Sequence, residues 1–410
     1  MDKYTTKTTN SKGLRIVSHL MPDTPAVYIG IYVHTGSRFE DSTNAGVAHF
    51  FEHMVFKGTE KRPTPYQVFY DLEKIGAEAN AMTGQEYTCY YIKVLKQNLE
   101  NGFEILSDAF LHSKLDEAEV TKEREVIKEE IKMYEDDPSE YASDQLLENM
   151  YPEDQYGRNI AGTISGMDQL DGEKIRNFFN AHYFCENTVI AAAGEITHEE
   201  LENLVNKYFS EYKQGKYAEP VFVDSKFTNP EVTYTRDMQQ AQFRMATYSV
   251  PFTDPDKYKL SVATAVLGSG AASKLFIEVR EKLALAYNIY AYNYCWSKSG
   301  TLIIDAGLKK DNVKQVEEVV LQEIKKLADG DFTDDDIIRA KELSKSSLLM
   351  NMDTTDSWGH KLGKEETIYN QITDIPMIIT KIDEVTREDI IKVMTKFSQA
   401  DWHKTIVQGA

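Results

Sequence analysis

The chain has 410 residues, 41% hydrophobic and 27% charged, which is enough apolar material for two ordinary domains and leaves no long polar or Pro/Gly/Ser tract that would mark disorder. Its 66 acidic residues against 46 basic ones give a formal net charge of -20, which repels a phosphate backbone and excludes nucleic acid as an expected partner. Cys89, Cys185 and Cys295 are widely spaced and form no C-x-x-C pair, so neither a disulfide framework nor a thiolate metal site is expected. With no apolar run of membrane-spanning length and no signal-like segment at the start, the expected setting is the cytoplasm, with no membrane partner.

Residues 25–34 are β-branched and aromatic and read as a strand, closed by a turn at Thr35-Gly36-Ser37. Asn44 is placed to cap the next helix, which is apolar nearly all round over 47–56 and is therefore expected to be buried. Thr64-Pro65 starts a second helix that runs to about Gly76. Residues 77–96 read as a hairpin with Gly84 near its turn, followed by helices at 97–112 and 116–136, the second highly charged. After a break at Asp136-Asp137-Pro138 come further helices, a strand at 187–193 and a helix from 198 to about 212.

Residues 213–230, with Gly215, Pro220 and Pro230 and little helical period, have the composition of a linker. The expected domains are thus 1–212 and 231–410. The second repeats the element order of the first: a strand at 239–250, a helix ending at 268–270, a helix at 273–285 and a hairpin at 286–308. The stretches Leu115-Asp116-Glu117-Ala118-Glu119-Val120 and Phe332-Thr333-Asp334-Asp335-Asp336-Ile337 each open a long helix after those hairpins. Helices grouped around hairpins favour an α+β class, with two similar domains that each pack an antiparallel sheet against helices, over a doubly wound parallel sheet.

His49-Phe50-Phe51-Glu52-His53 sets two imidazoles one helical turn apart, with a carboxylate beside them. An isolated pair of this kind is commonly two core histidines, but an unpaired Glu52 on an otherwise apolar helix would be costly, which points to a site. Zinc suits two neutral imidazoles plus a carboxylate with a fourth position left for water, and a neighbouring carboxylate such as Glu52 can take that water's proton. Glu123 and Glu130 lie seven residues apart on one face of the charged helix, and periodicity does not choose between them as the third ligand.

The His-x-x-Glu-His order is the inverted zinc motif. With Gly46-Val47-Ala48 before it, Phe56-Lys57-Gly58-Thr59 after it, Asn80-Ala81-Met82-Thr83 in the hairpin and His182-Tyr183-Phe184 before the later strand, the chain resembles a zinc peptidase family over nearly its whole length. The family is that of mitochondrial processing peptidase, insulin-degrading enzyme and pitrilysin, and the chain looks like a short single-chain bacterial member. The resemblance implies one zinc per chain on His49, His53 and Glu130, with Glu129 as the alternative third ligand. Glu52 takes the place of the catalytic base and Glu123 that of an auxiliary glutamate. It further implies a metal-free second domain, in which Leu275 and Val279 replace the histidines and Ser347 replaces Glu130, and which presents Arg280 and Tyr287 to substrate. A homodimer enclosing a chamber for unstructured peptides follows, with Asn80, Ala81 and Thr83 binding the peptide and Phe56 lining the pocket after the scissile bond. The rival reading is a non-catalytic scaffold or partner subunit of the same fold, against which the intact motif residues count.

Overall fold

The computed structural model describes residues 3–224 and 226–410, and among these the expected linker 213–230, outside Ser225, forms no helix or strand. The strands of the first sheet are β1 (Thr5–Thr9), β2 (Arg15–Leu20), β3 (Ala26–Val33), β4 (Glu78–Thr83), β5 (Thr88–Leu95) and β6 (Thr188–Gly194), in the order β1-β2-β6-β3-β5-β4. Those of the second are β7 (Glu231–Thr235), β8 (Ala241–Tyr248), β9 (Ala286–Cys295), β10 (Gly300–Leu308) and β11 (His403–Gln408), in the order β7-β11-β8-β10-β9. Every pairing is antiparallel except β2 with β6 and β7 with β11, so the α+β class holds with one parallel pair in each sheet.

β2-β6-β3-β5-β4 and β7-β11-β8-β10-β9 are the same sheet built twice, with the parallel pair at the same place. This topology corrects one expected correspondence. The first helix after β3 is Val47–Val55 and the first after β8 is Lys257–Gly268, so the latter, and not the segment at 273–285, is the counterpart of the histidine helix. That counterpart contains no histidine, aspartate or glutamate. The 273–285 segment winds as a π-helix over Phe276–Lys282, with Leu275 and Val279 fully buried in its core.

The chain forms two compact units, and they are not continuous in sequence. Unit one takes residues up to Lys132 with 158–221 and 351–374, and unit two takes 133–157, 222–350 and 375–410. A single crossing at 213–230 therefore does not describe the packing. Each sheet buries side chains on both faces, so each face needs a cover. Val27, Ile29, Ile31 and Val33 of β3 enter the main core of unit one, whereas Tyr28 and Tyr32 point the other way, where the helix Thr355–Tyr369 covers them. In unit two the helix Pro138–Met150 covers β8 and β11 in the same manner. Its first turn is fixed by the buried Arg244, which ion-pairs with Asp305 and donates to Ser139 Oγ at 2.8 Å. No described helix is long and apolar enough to cross a membrane.

The helix Thr355–Tyr369 approaches its sheet through two glycines: a Cβ on Gly359 would lie 2.0 Å from Cδ1 of Tyr28, and one on Gly363 2.2 Å from Cε2 of Tyr32. Alanine in place of glycine inside a helix ordinarily stabilises by about 1 kcal/mol. Here the fully buried tyrosine rings have no room to move, so Gly363→Ala is expected to destabilise by about 1–3 kcal/mol through overpacking. A thermal melt of the variant decides the sign, and a raised midpoint contradicts this packing.

Candidate metal centre

The helix Val47–Val55 begins at Gly46, whose φ of +88° favours glycine. A Cβ there would also sit 2.4 Å from Cε of Met167 and 2.7 Å from the Ala161 carbonyl oxygen. A glycine N-cap brings no side-chain oxygen, and Asn44 does not supply one: its Oδ1 accepts from the Asp41 amide at 2.7 Å, while its carbonyl accepts from Val47 at 3.0 Å. The cap comes from Glu40, whose Oε2 accepts from the Gly46 amide at 2.8 Å and whose Oε1 accepts from the Ala48 amide at 2.9 Å. Sequence reasoning missed it because the capping residue lies six positions ahead of Gly46 and not at the helix end.

Phe50, Phe51, Met54 and Val55 are buried in the core of unit one, which fixes the rotation of the helix. His49, Glu52 and His53 then share the remaining face, their rings 4.6 Å apart for the two histidines. The helix Glu117–Asp136 brings its carboxylates to that face: Glu130 oxygens lie 3.8 Å from Nε2 of His49 and 3.3 Å from Nε2 of His53. One donor atom each from His49, His53 and Glu130 lie within 4.8 Å of one another. Glu129 points elsewhere, 73% exposed and paired with Lys132 at 2.6 Å.

Glu123 is 5% exposed and its Oε1 is 2.8 Å from Nδ1 of His53, while its Oε2 is paired with Lys57. Such a contact orients an imidazole and leaves its other nitrogen facing the cluster. Burial penalises the Glu123 carboxylate, yet the bonds from His53 and Lys57 outweigh it and hold its pKa below the usual range. Burial and the nearby His53 push His49 down to about 4, keeping its ring neutral, whereas for His53 the burial cost is overcome by Glu123 and Glu130, which lift it to about 9. Glu52 is raised by burial, against the pull of a bond from the Thr83 hydroxyl to its Oε2 at 2.6 Å. Thr83 ends β4, so a residue expected to meet a peptide also holds the carboxylate beside the histidines.

Two imidazoles and a carboxylate, one ring kept neutral by its surroundings and the other fixed through Nδ1, fit a zinc ion, and three protein donors leave a coordination position for water. Among the described residues no other cluster of this type occurs. Phe56 is 8% exposed and its ring packs against Phe69 at 5.8 Å, while Asn80 and Ala81 lie on β4, which among the described residues pairs with β5 alone, the Ala81 amide donating to Asn80 Oδ1 at 2.8 Å. In unit two, Arg280 sits on the π-helix with its guanidinium over the rings of Phe276 and Tyr287 at 4.6 and 5.4 Å. Tyr287, on β9, is 74% exposed, and the two residues line a cleft of about 260 Å³ with Gln240 and Asn312.

Residues 15–164 match the family described as insulinase (peptidase family M16), and residues 169–344 match the peptidase M16 inactive domain. A protein of Bacillus subtilis (strain 168) named uncharacterized zinc protease YmxG is 32% identical over 382 residues, covering 93% of each chain. A probable mitochondrial-processing peptidase subunit beta of Arabidopsis thaliana is 31% identical, covering 95% of this chain and 75% of that one. Among solved structures, a protease from Helicobacter pylori superposes with a TM-score of 0.90 over 98% of this chain and 99% of that chain, at 18% identity, a likeness of fold. The helix that carries His49, Glu52 and His53 falls inside the first matched region, and on both matches together the chain belongs to peptidase family M16.

Proposed function

We propose that the chain is a zinc-dependent endopeptidase acting on unstructured peptides. The observation that carries this is the convergence of His49, His53 and Glu130 beside a Glu52 already aimed by Thr83. Zinc bound there supplies Lewis acidity toward a peptide carbonyl. Glu52 takes the proton of the attacking water and returns it to the leaving amine, with Thr83 fixing the carboxylate's orientation. Glu123, paired with Lys57, holds the His53 ring through Nδ1, and β4 is the edge strand to which a peptide adds along Asn80 and Ala81, the Ala81 amide exchanging its bond to Asn80 Oδ1 for one to the peptide. Phe56 borders the pocket after the scissile bond. Arg280 and Tyr287 donate to the developing oxyanion, and in this proposal they come from a second copy across a homodimer that encloses the peptide. One zinc per chain serves the reaction, in a cytoplasm that keeps the three free cysteines reduced.

Glu52→Gln is expected to retain zinc and lose about 10²–10⁴-fold in peptide turnover, the span of a lost general base. Equal turnover by parent and variant, or cleavage that survives a chelator, would sink the mechanism. Thr83→Ala is expected to lower kcat by about tenfold with zinc content unchanged, since it frees Glu52 without touching a donor; an unchanged kcat would leave Thr83 a structural residue only.

The shared site makes a further prediction. Inactive Glu52→Gln and inactive Arg280→Ala chains, each unable to work alone, should regain about a quarter of parental turnover when exchanged in equal amounts, because half the dimers are mixed and each mixed dimer has one intact pair. No recovery after verified subunit exchange would place Arg280 and Glu52 of a working site in one chain.

A further inference from the structure

Glu40 lies outside the cluster just described, and its carboxylate is 3% exposed. Both of its oxygens are engaged with the first turn of the histidine helix, where Gly46 leaves no room for a side-chain cap of its own. That turn carries His49, whereas His53 follows one turn later and is held separately by Glu123. The segment presenting Glu40 is in turn fixed to the hairpin tip between β4 and β5. The Ser37 and Arg38 amides donate to the carbonyls of Gly84 and Gln85 at 3.1 and 3.0 Å, and a Cβ on Gly36 would lie 2.1 Å from the Gly84 oxygen. The hairpin tip, the 36–40 turn, Glu40 and the helix thus form one continuous series of contacts. It starts next to Thr83, which bonds Glu52 on the same helix.

We propose that Glu40 is a positioning residue for the metal site: by clamping the Gly46 and Ala48 amides it sets the place of His49 relative to His53 and Glu130 and keeps the histidine helix in register with β4. The proposal rests on the zinc reading of that site. A lost cap frays the first turn of a helix before anything else, so the ligand it carries moves while the rest of the fold stays. Both Glu40 oxygens act as acceptors, so glutamine, with one acceptor oxygen and an NH2 in place of the other, keeps one of the two amide bonds and loses the second.

The test uses the full chain and zinc itself, with affinity read by competition against a chromophoric chelator. Glu40→Ala is expected to weaken zinc by about tenfold or more, the usual cost of losing support behind a ligand, and Glu40→Gln by only about threefold. Leu201→Ala, which removes a fully buried side chain from another helix of the same unit, controls for general loss of stability and is expected to leave zinc affinity unchanged. Hydrogen exchange should quicken at the amides of 46–49 in Glu40→Ala and not in β3. Zinc binding as tight as the parent's in Glu40→Ala, or an equal loss in Leu201→Ala, overturns the proposal. A parent chain that binds no zinc overturns the metal reading instead, and should Glu40→Ala not fold, the Glu40→Gln comparison and its exchange pattern carry the same decision.

Discussion

Ionisable groups gathered out of water are expensive, and the first unit is organised around meeting that cost. Two imidazoles and the carboxylates of Glu52, Glu123 and Glu130 crowd one edge of a hydrophobic core, where an unpaired charge would be neutralised or expelled. Each carboxylate is given a partner: Glu123 has His53 and Lys57, Glu52 has Thr83, and Glu130 faces both rings, while Nδ1 of His49 is buried without a hydrogen bond among the described residues. The apolar side of the histidine helix makes this possible. With Phe50, Phe51, Met54 and Val55 locked into the core, the helix cannot rotate, and the ionisable residues are left on one face opposite a single acidic helix.

The second unit shows what the same architecture becomes without those groups. Its strand order repeats the first, and the helix after β8 occupies the place of the histidine helix with Leu260, Val262, Ala263, Val266 and Leu267 buried and no acid or histidine at all. In the register that pairs Leu115 with Phe332, Ala340 stands for Glu123 and Ser347 for Glu130, and Ala340 is fully buried. Once no cation repays the desolvation of a carboxylate, a small apolar residue is the cheaper occupant. What the unit retains toward solvent is a different chemistry: an Arg280 on wide π-helical turns and an exposed Tyr287 on its edge strand.

Elements whose identity depends on local pattern were legible in the amino acids. The apolar run of β3, the Thr64-Pro65 helix start and the His-x-x-Glu-His spacing needed no tertiary knowledge, because period, cap and face follow from backbone geometry. Helices were expected after Pro138, but neither Pro138–Met150 nor Thr355–Tyr369 was foreseen as the cover for a sheet in the other half of the chain, since an apolar stripe does not say what it packs against. Glu123 and Glu130 were inseparable by period on the same ground, and only the resemblance chose Glu130 over its neighbour Glu129, which is 73% exposed while Glu130 faces the histidines. The Glu40 cap was out of reach entirely: it is a contact across a turn whose course is set by the hairpin tip.

These long-range contacts share one consequence. Thr83 ends the edge strand and bonds Glu52, and the hairpin tip just beyond it fixes the turn that bears Glu40, which holds the other end of the Glu52 helix. β4 and the helix bearing His49, Glu52 and His53 are therefore tied at two points. On the proposed function, a peptide aligned by main-chain bonds to β4 would be aligned, by the same act, with the Glu52 carboxylate. Under the proposed function, that tie would give a grip on the peptide backbone a defined point of attack.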